Sequence, residues 1–99
     1  MMRLMTCCNI IQCNTDGSQK LTVTLTEAAD YLGANTIIYF DTDGGADVDV
    51  VTQGDDTMNI EGDTGNTKFA MTNSGEYIHV MAVEDDTWVI ADKIGGTLT

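Results

Sequence analysis

Glu76-Tyr77-Ile78-His79-Val80-Met81-Ala82-Val83, then Glu84-Asp85-Asp86, then Thr87-Trp88-Val89-Ile90: this stretch decides the fold class. In the first run Ile78, Val80 and Ala82 share one face, and Tyr77, His79 and Met81 share the other. That two-residue period belongs to a strand, because successive side chains of extended backbone point to opposite sides. The acidic triplet is a turn, so the two runs read as a hairpin.

Upstream the same grammar repeats. Asn73-Ser74-Gly75, Gly62-Asp63-Thr64-Gly65-Asn66, Gln53-Gly54-Asp55-Asp56 and Asp41-Thr42-Asp43-Gly44-Gly45 are turn clusters. Between them lie Lys68 to Met71, Thr57 to Ile60, Asp47 to Val50 and the dense run Thr36-Ile37-Ile38-Tyr39-Phe40. Lys20 to Leu25 alternates, with Leu21, Val23 and Leu25 on one face, and Asn14-Thr15-Asp16-Gly17-Ser18 turns the chain before it. Residues 3–13 read as a first strand or an extended arm. Only 26–32 suits a helix: Thr26 can cap it, acids occupy the first turn and Gly33 stops it. The expectation is therefore an all-β fold, a small sandwich or barrel of about eight short antiparallel strands with one short helix near 26–32. Long parallel crossovers through helices have no room. The division expected is an N-terminal arm or first strand over 1–14 and a single β domain over 15–99.

Composition agrees. Thr occurs 15 times and Gly 10 times in 99 residues, while Pro is absent. β-branched side chains fit a pleated surface and are stiff in a helix. Four basic residues face sixteen acidic ones, a net charge of −12, and thirteen of the acids follow residue 40. Nucleic acid needs a basic face and anionic membranes repel an acidic one, so neither is an expected partner.

Catalysis finds no purchase. A Ser, Cys or Thr nucleophile needs a base beside it, and the only neutral-pH base is His79, inside a strand. No catalytic or cofactor-binding residue is assigned, and no cofactor is expected. The run Asp41 to Asp49 is rich in carboxylates, which suit hard cations, but as an EF-hand it has Ala46 and Thr52 where Gly and Glu are needed. It reads as a hairpin turn with solvated acids, and no metal ligand is assigned. Cys7, Cys8 and Cys13 are an odd count inside seven residues and read as reduced thiols rather than a disulfide framework.

The N-terminus begins like a signal peptide for five residues, Met1 to Met5, before Thr6, Asn9, Gln12 and Asn14 interrupt it, so export by that route is not expected. Its apolar residues suit a partner instead. Arg3, the only Arg, lies in the longest stretch free of acids, residues 1–15. Arg3, Leu4, Met5, Ile10 and Ile11 are thus partner-binding candidates, with an extended arm adding a strand to a neighbour's sheet. Tyr77 and Trp88 are further candidates as aromatic anchors, although a lone Trp after a tight turn commonly closes a core edge.

Residues 20–92 resemble a recurrent β-domain of bacteriophage virion proteins, found in head and tail fibres and in small capsid-associated proteins. The pieces run in that family's order: Leu21-Thr22-Val23-Thr24-Leu25, Glu27-Ala28-Ala29, Thr36 to Phe40, Asp43-Gly44-Gly45, Val48-Asp49-Val50, then Gly75 to Val83 and Asp85-Asp86-Thr87-Trp88-Val89-Ile90. The Pro that often precedes the family's small helix is missing, and residues 1–19 match nothing in it. The resemblance implies a non-enzymatic virion protein. A short chain of this kind looks like a capsid decoration, or cement, protein: a homotrimer on the outer capsid surface, assembled in the bacterial cytoplasm, binding the major capsid protein and stapling capsomers. The alternatives are a receptor- or carbohydrate-binding fibre domain and a calcium-dependent binding module.

Overall fold

Strand formation follows the alternation closely, and turns fall where Gly and Asp cluster. A computed structural model describes residues 8–99. It has ten strands: β1 Cys8–Asn14, β2 Leu21–Thr24, β3 Asn35–Thr42, β4 Val48–Val51, β5 Thr57–Ile60, β6 Asp63–Asn66, β7 Lys68–Met71, β8 Tyr77–Glu84, β9 Thr87–Ile94 and β10 Thr97–Leu98. Eight occupy the expected runs. The additions are β6, inside the expected turn Gly62–Asn66, and the short β10.

The fold is all-β, built from two mixed sheets. One has six strands in the order β1-β3-β8-β9-β5-β6 and the other four in the order β10-β7-β4-β2. Both are open at their edges, so the arrangement is broadly a sandwich and not a closed barrel. Residues from both sheets make one core, including Cys13, Ile38, Phe40, Val48, Val50, Met58, Phe69, Met71, Ile78, Val80 and Trp88. Burying a side chain of this kind contributes about 1.5–3 kcal/mol, so the shared core is what holds the sheets together.

The expectation of antiparallel strands is corrected. β1 runs parallel to β3, β2 to β4 and β5 to β9. The first two pairs have one cause. The chain lays β1 in the larger sheet, crosses to lay β2 in the smaller, then returns to lay β3 on β1 and β4 on β2. Cys8 meets Asn35 and Leu21 meets Val48, the same offset of 27 residues in both sheets. Residues 8–51 thus form two stacked coils. The sequence repeats in step: Ile10-Ile11, Thr15-Asp16-Gly17 and Val23 recur as Ile37-Ile38, Thr42-Asp43-Gly44 and Val50.

The stacked turns show why those residues recur. Asp16 Oδ1 accepts the Ser18 amide at 3.0 Å, and Asp43 Oδ1 accepts the Gly45 amide at 2.9 Å, the same Asx turn one coil apart. The turns touch through backbone. A Cβ on Gly44 would run into the Thr15 carbonyl, and one on Gly17 into the Gly44 carbonyl. Buried Thr15 links the coils: its amide donates to the Thr42 carbonyl at 2.9 Å, and its hydroxyl donates to the Ala46 carbonyl at 2.9 Å and accepts the Gly44 amide at 3.0 Å.

One further expectation changes, and one alternative is chosen. The helix near 26–32 is one turn of 3-10 helix, Ala28–Asp30, and Thr26 does not cap it. Asp56, from the turn before β5, accepts the Ala28 amide instead at 2.8 Å. The arm over 1–14 is, for residues 8–14, the domain's own first strand, with Cys13 in the core.

Candidate functional site

Alternation gives every strand of the six-stranded sheet an outward face as well as a core face. Three rows of that outward face follow from the register. Ile10, Ile37, His79 and Asp92 form one row. Gln12, Tyr39, Tyr77 and Ile94 form the second. Asn35, Met81, Val89 and Asn59 continue a third. A sheet face in water is ordinarily polar. Here Ile37, Tyr39, Tyr77, Met81 and Val89 are half-buried by one another, while Ile10 and Ile94 are 70% and 52% exposed. No described element packs over this face.

Its charge is as unusual as its hydropathy. Of sixteen acids, Asp92 is the only one in these rows. Asp92 Oδ2 accepts the Tyr77 hydroxyl at 2.6 Å, which holds the phenol's pKa above its ordinary value, helped by desolvation and by the carboxylate's charge. His79 sits between Ile37 and Asp92, with Nε2 2.9 Å from Asn35 Oδ1. An imidazole held by an amide, with no nucleophile in its bond network, is a positioned polar group within an apolar patch.

The other sequence candidates are dispersed. Arg3, Leu4 and Met5 lie outside the described residues, as does Cys7. Ile10 is on the outward face, while Ile11 points between the sheets and is 37% exposed. Trp88 is core, 2% exposed, and its indole N–H donates to the Thr26 carbonyl at 3.3 Å. It closes the core edge, and is no exposed anchor. Burial pushes the Cys13 thiol up.

The carboxylates of the Asp41–Asp49 run do not converge. Asp41 accepts the Gln12 amide at 2.7 Å, Asp43 makes its own turn, and Asp49 on β4 pairs with Lys20 at 3.2 Å. Among the described residues no three His, Cys, Asp or Glu side chains gather as a metal site. No helix there is long and apolar enough to cross a membrane.

No protein-family model, no curated protein and no solved structure matches this chain.

Alternation puts Tyr77, His79 and Met81 on one face of a strand without showing which neighbours make that face a surface. A usable signal was present. Ile37, Tyr39, Met81 and Val89 are large and uncharged at positions whose strand neighbours are already apolar, so both sides of β3 and β8 are apolar. In a two-layer fold, one of those sides has to meet something else.

Proposed function

We propose that this chain is a non-enzymatic structural protein of a bacteriophage virion, a decoration protein that coats the outer capsid surface as a homotrimer and binds the major capsid protein. The observation that carries the reading is the apolar, acid-poor outer face of the six-stranded sheet in a chain of net charge −12. Copies this acidic repel one another through most of their surface, and that face is a route by which they can meet. Contiguous exposed apolar area of this kind marks a protein interface. The resemblance of residues 20–92 to phage virion β-domains supplies the biological setting, and the two-sheet sandwich is consistent with it. The fibre-tip alternative asks for an aromatic platform at Trp88, and that ring is in the core.

The test is sedimentation together with shell binding. The protein should sediment as a trimer at micromolar concentration and co-sediment with purified phage shells, not with tails. Ile37→Glu places a carboxylate at the centre of the face. An unpaired charge in an interface costs about 3–5 kcal/mol, so the trimer should weaken by roughly 100-fold or more. A wild-type chain that stays monomeric and leaves shells bare would refute the reading.

A further inference from the structure

The two stacked coils end abruptly. β1 is one edge of the six-stranded sheet and β2 is one edge of the four-stranded sheet, and both belong to the first coil. Stacked-coil folds need a terminal cap with a polar outer surface. Three apolar residues of the first coil that face inward are left part-open, although Cys13 and Leu25 are buried: Ile11 and Leu21 are each 37% exposed, and Val23 is half-buried. Their counterparts one coil on, Ile38, Val48 and Val50, are fully buried at 0%. The difference comes from position, because the second coil is covered by the first and no described element covers the first.

Between the two edges lies a cleft of about 290 Å³, with apolar Ile11, Val23, Leu25 and Trp88 and polar Asn9 and Thr24 in its lining. That volume is at the lower limit of small-molecule pockets, about 300 Å³. It suits two or three apolar side chains. The lining carries no charged residue, and residues 8–26 hold one Asp and one Lys, whereas residues 27–99 hold fifteen acids and two Lys.

We propose that this mouth receives an extended segment of another protein, which adds a strand to the free edge of β1 and sets alternate apolar side chains into the cleft. A strand is the occupant the site is shaped for, since the other edge of β1 already holds β3 through six consecutive paired residues, Cys8 to Cys13. Free strand edges supply backbone affinity and the cleft supplies side-chain selection. The charge distribution fixes the segment's chemistry. The seat is neutral and apolar, and the body behind it is strongly negative, so the segment is uncharged over the cleft and basic at its ends. A second copy of this chain fits less well, because it brings the same negative body. The mouth also adjoins the outward sheet face, since Ile10 and Ile11 are successive residues of β1. The inference deepens the reading that this chain binds a protein partner, yet it needs neither trimer nor shell.

Trp88 is the only Trp and forms part of the cleft lining, so its emission reports occupancy. The probe is a synthetic peptide, Lys-Val-Thr-Val-Thr-Val-Thr-Lys, titrated into the full chain. Three controls accompany it: the same peptide with Glu at both ends, the peptide N-methylated at alternate residues, and the Ile11→Lys variant. The expected result is a saturable change in Trp88 emission with the Lys-ended peptide. Each control should weaken it at least tenfold, with the circular dichroism of the variant unchanged. If Ile11→Lys disturbs the fold, the two peptide controls decide alone. No saturable change at millimolar peptide overturns the proposal, including the case where the chain's own residues 1–7 fill the mouth. Equal binding of the N-methylated peptide, or saturation only by a small apolar dye, overturns it as well. Peptide binding by a chain that neither trimerises nor coats shells upholds this inference while refuting the virion reading.

Discussion

Thr15 carries more than its size suggests. Its hydroxyl and amide make three hydrogen bonds to the neighbouring coil, and it is only 8% exposed. Thr15→Val keeps the shape and deletes the hydroxyl, leaving the Gly44 amide and the Ala46 carbonyl without their partner. Each of these two part-buried hydrogen bonds contributes about 0.5–1.5 kcal/mol, so urea unfolding should show a loss of about 1–3 kcal/mol. A loss below about 0.5 kcal/mol, the usual scatter of surface changes, would mean that backbone contact alone holds the coils. Asp49 is a second such residue, on the outward side of β4 yet 7% exposed. Lys20 balances its charge, but its Oδ1 has no hydrogen-bond partner among the described residues.

At the scale of elements, the link between β7 and β8 depends on one carboxylate. Glu76 Oε1 accepts the amides of Thr72 and Asn73 at 2.7 and 3.1 Å, and Oε2 accepts the Gly96 amide at 3.2 Å. Glu76 therefore ties the β7–β8 turn to the approach of β10. Desolvation pushes its pKa up, but the backbone donors together outweigh this and hold it below the ordinary glutamate value. A carboxyl whose folded pKa is depressed adds stability above its unfolded pKa, and that contribution is lost as pH falls through the folded value. Glu76→Gln should thus destabilise the protein by about 1 kcal/mol at neutral pH. The penalty should shrink when unfolding is repeated near pH 3. A pH-independent penalty would show that the amide bonds matter and the charge does not. Elements were largely legible from sequence, because alternation and Gly/Asp turns are local signals. The exceptions were short: β6 is built on Asp63-Thr64-Gly65-Asn66, a turn-like composition held as a strand by pairing with β5.

For the whole molecule, charge and topology set behaviour. Self-association through an acid-poor face works against the repulsion of the acidic bodies, and salt screens that repulsion. The proposed trimer should therefore tighten as salt rises from about 0.05 M to about 0.5 M, where the screening length falls to a few ångströms. Sedimentation equilibrium at both salts checks this, and a trimer that loosens would point to attractive ion pairs across the interface instead. Sequence alone determined the β class, eight of the strands, the inward residues of β3 and β8, and the acidic character that disfavours nucleic acid. All of these depend on side-chain chemistry within a few residues. It also placed Tyr77 and Ile10 among the partner candidates, and both lie on the outward face. Only the tertiary structure decided which strands are neighbours. Alternation says which side of a strand is apolar but not what lies beside it. Parallel neighbours need no helical crossover where the chain returns through the opposite sheet, which is the path from β1 through β2 to β3. The 27-residue repeat was visible in the letters, yet its meaning needed the stacking that puts Gly17 against Gly44. Trp88 is core, and no described element covers the first coil, for the same reason: burial belongs to position in the stack, and position is settled by contacts far apart in sequence.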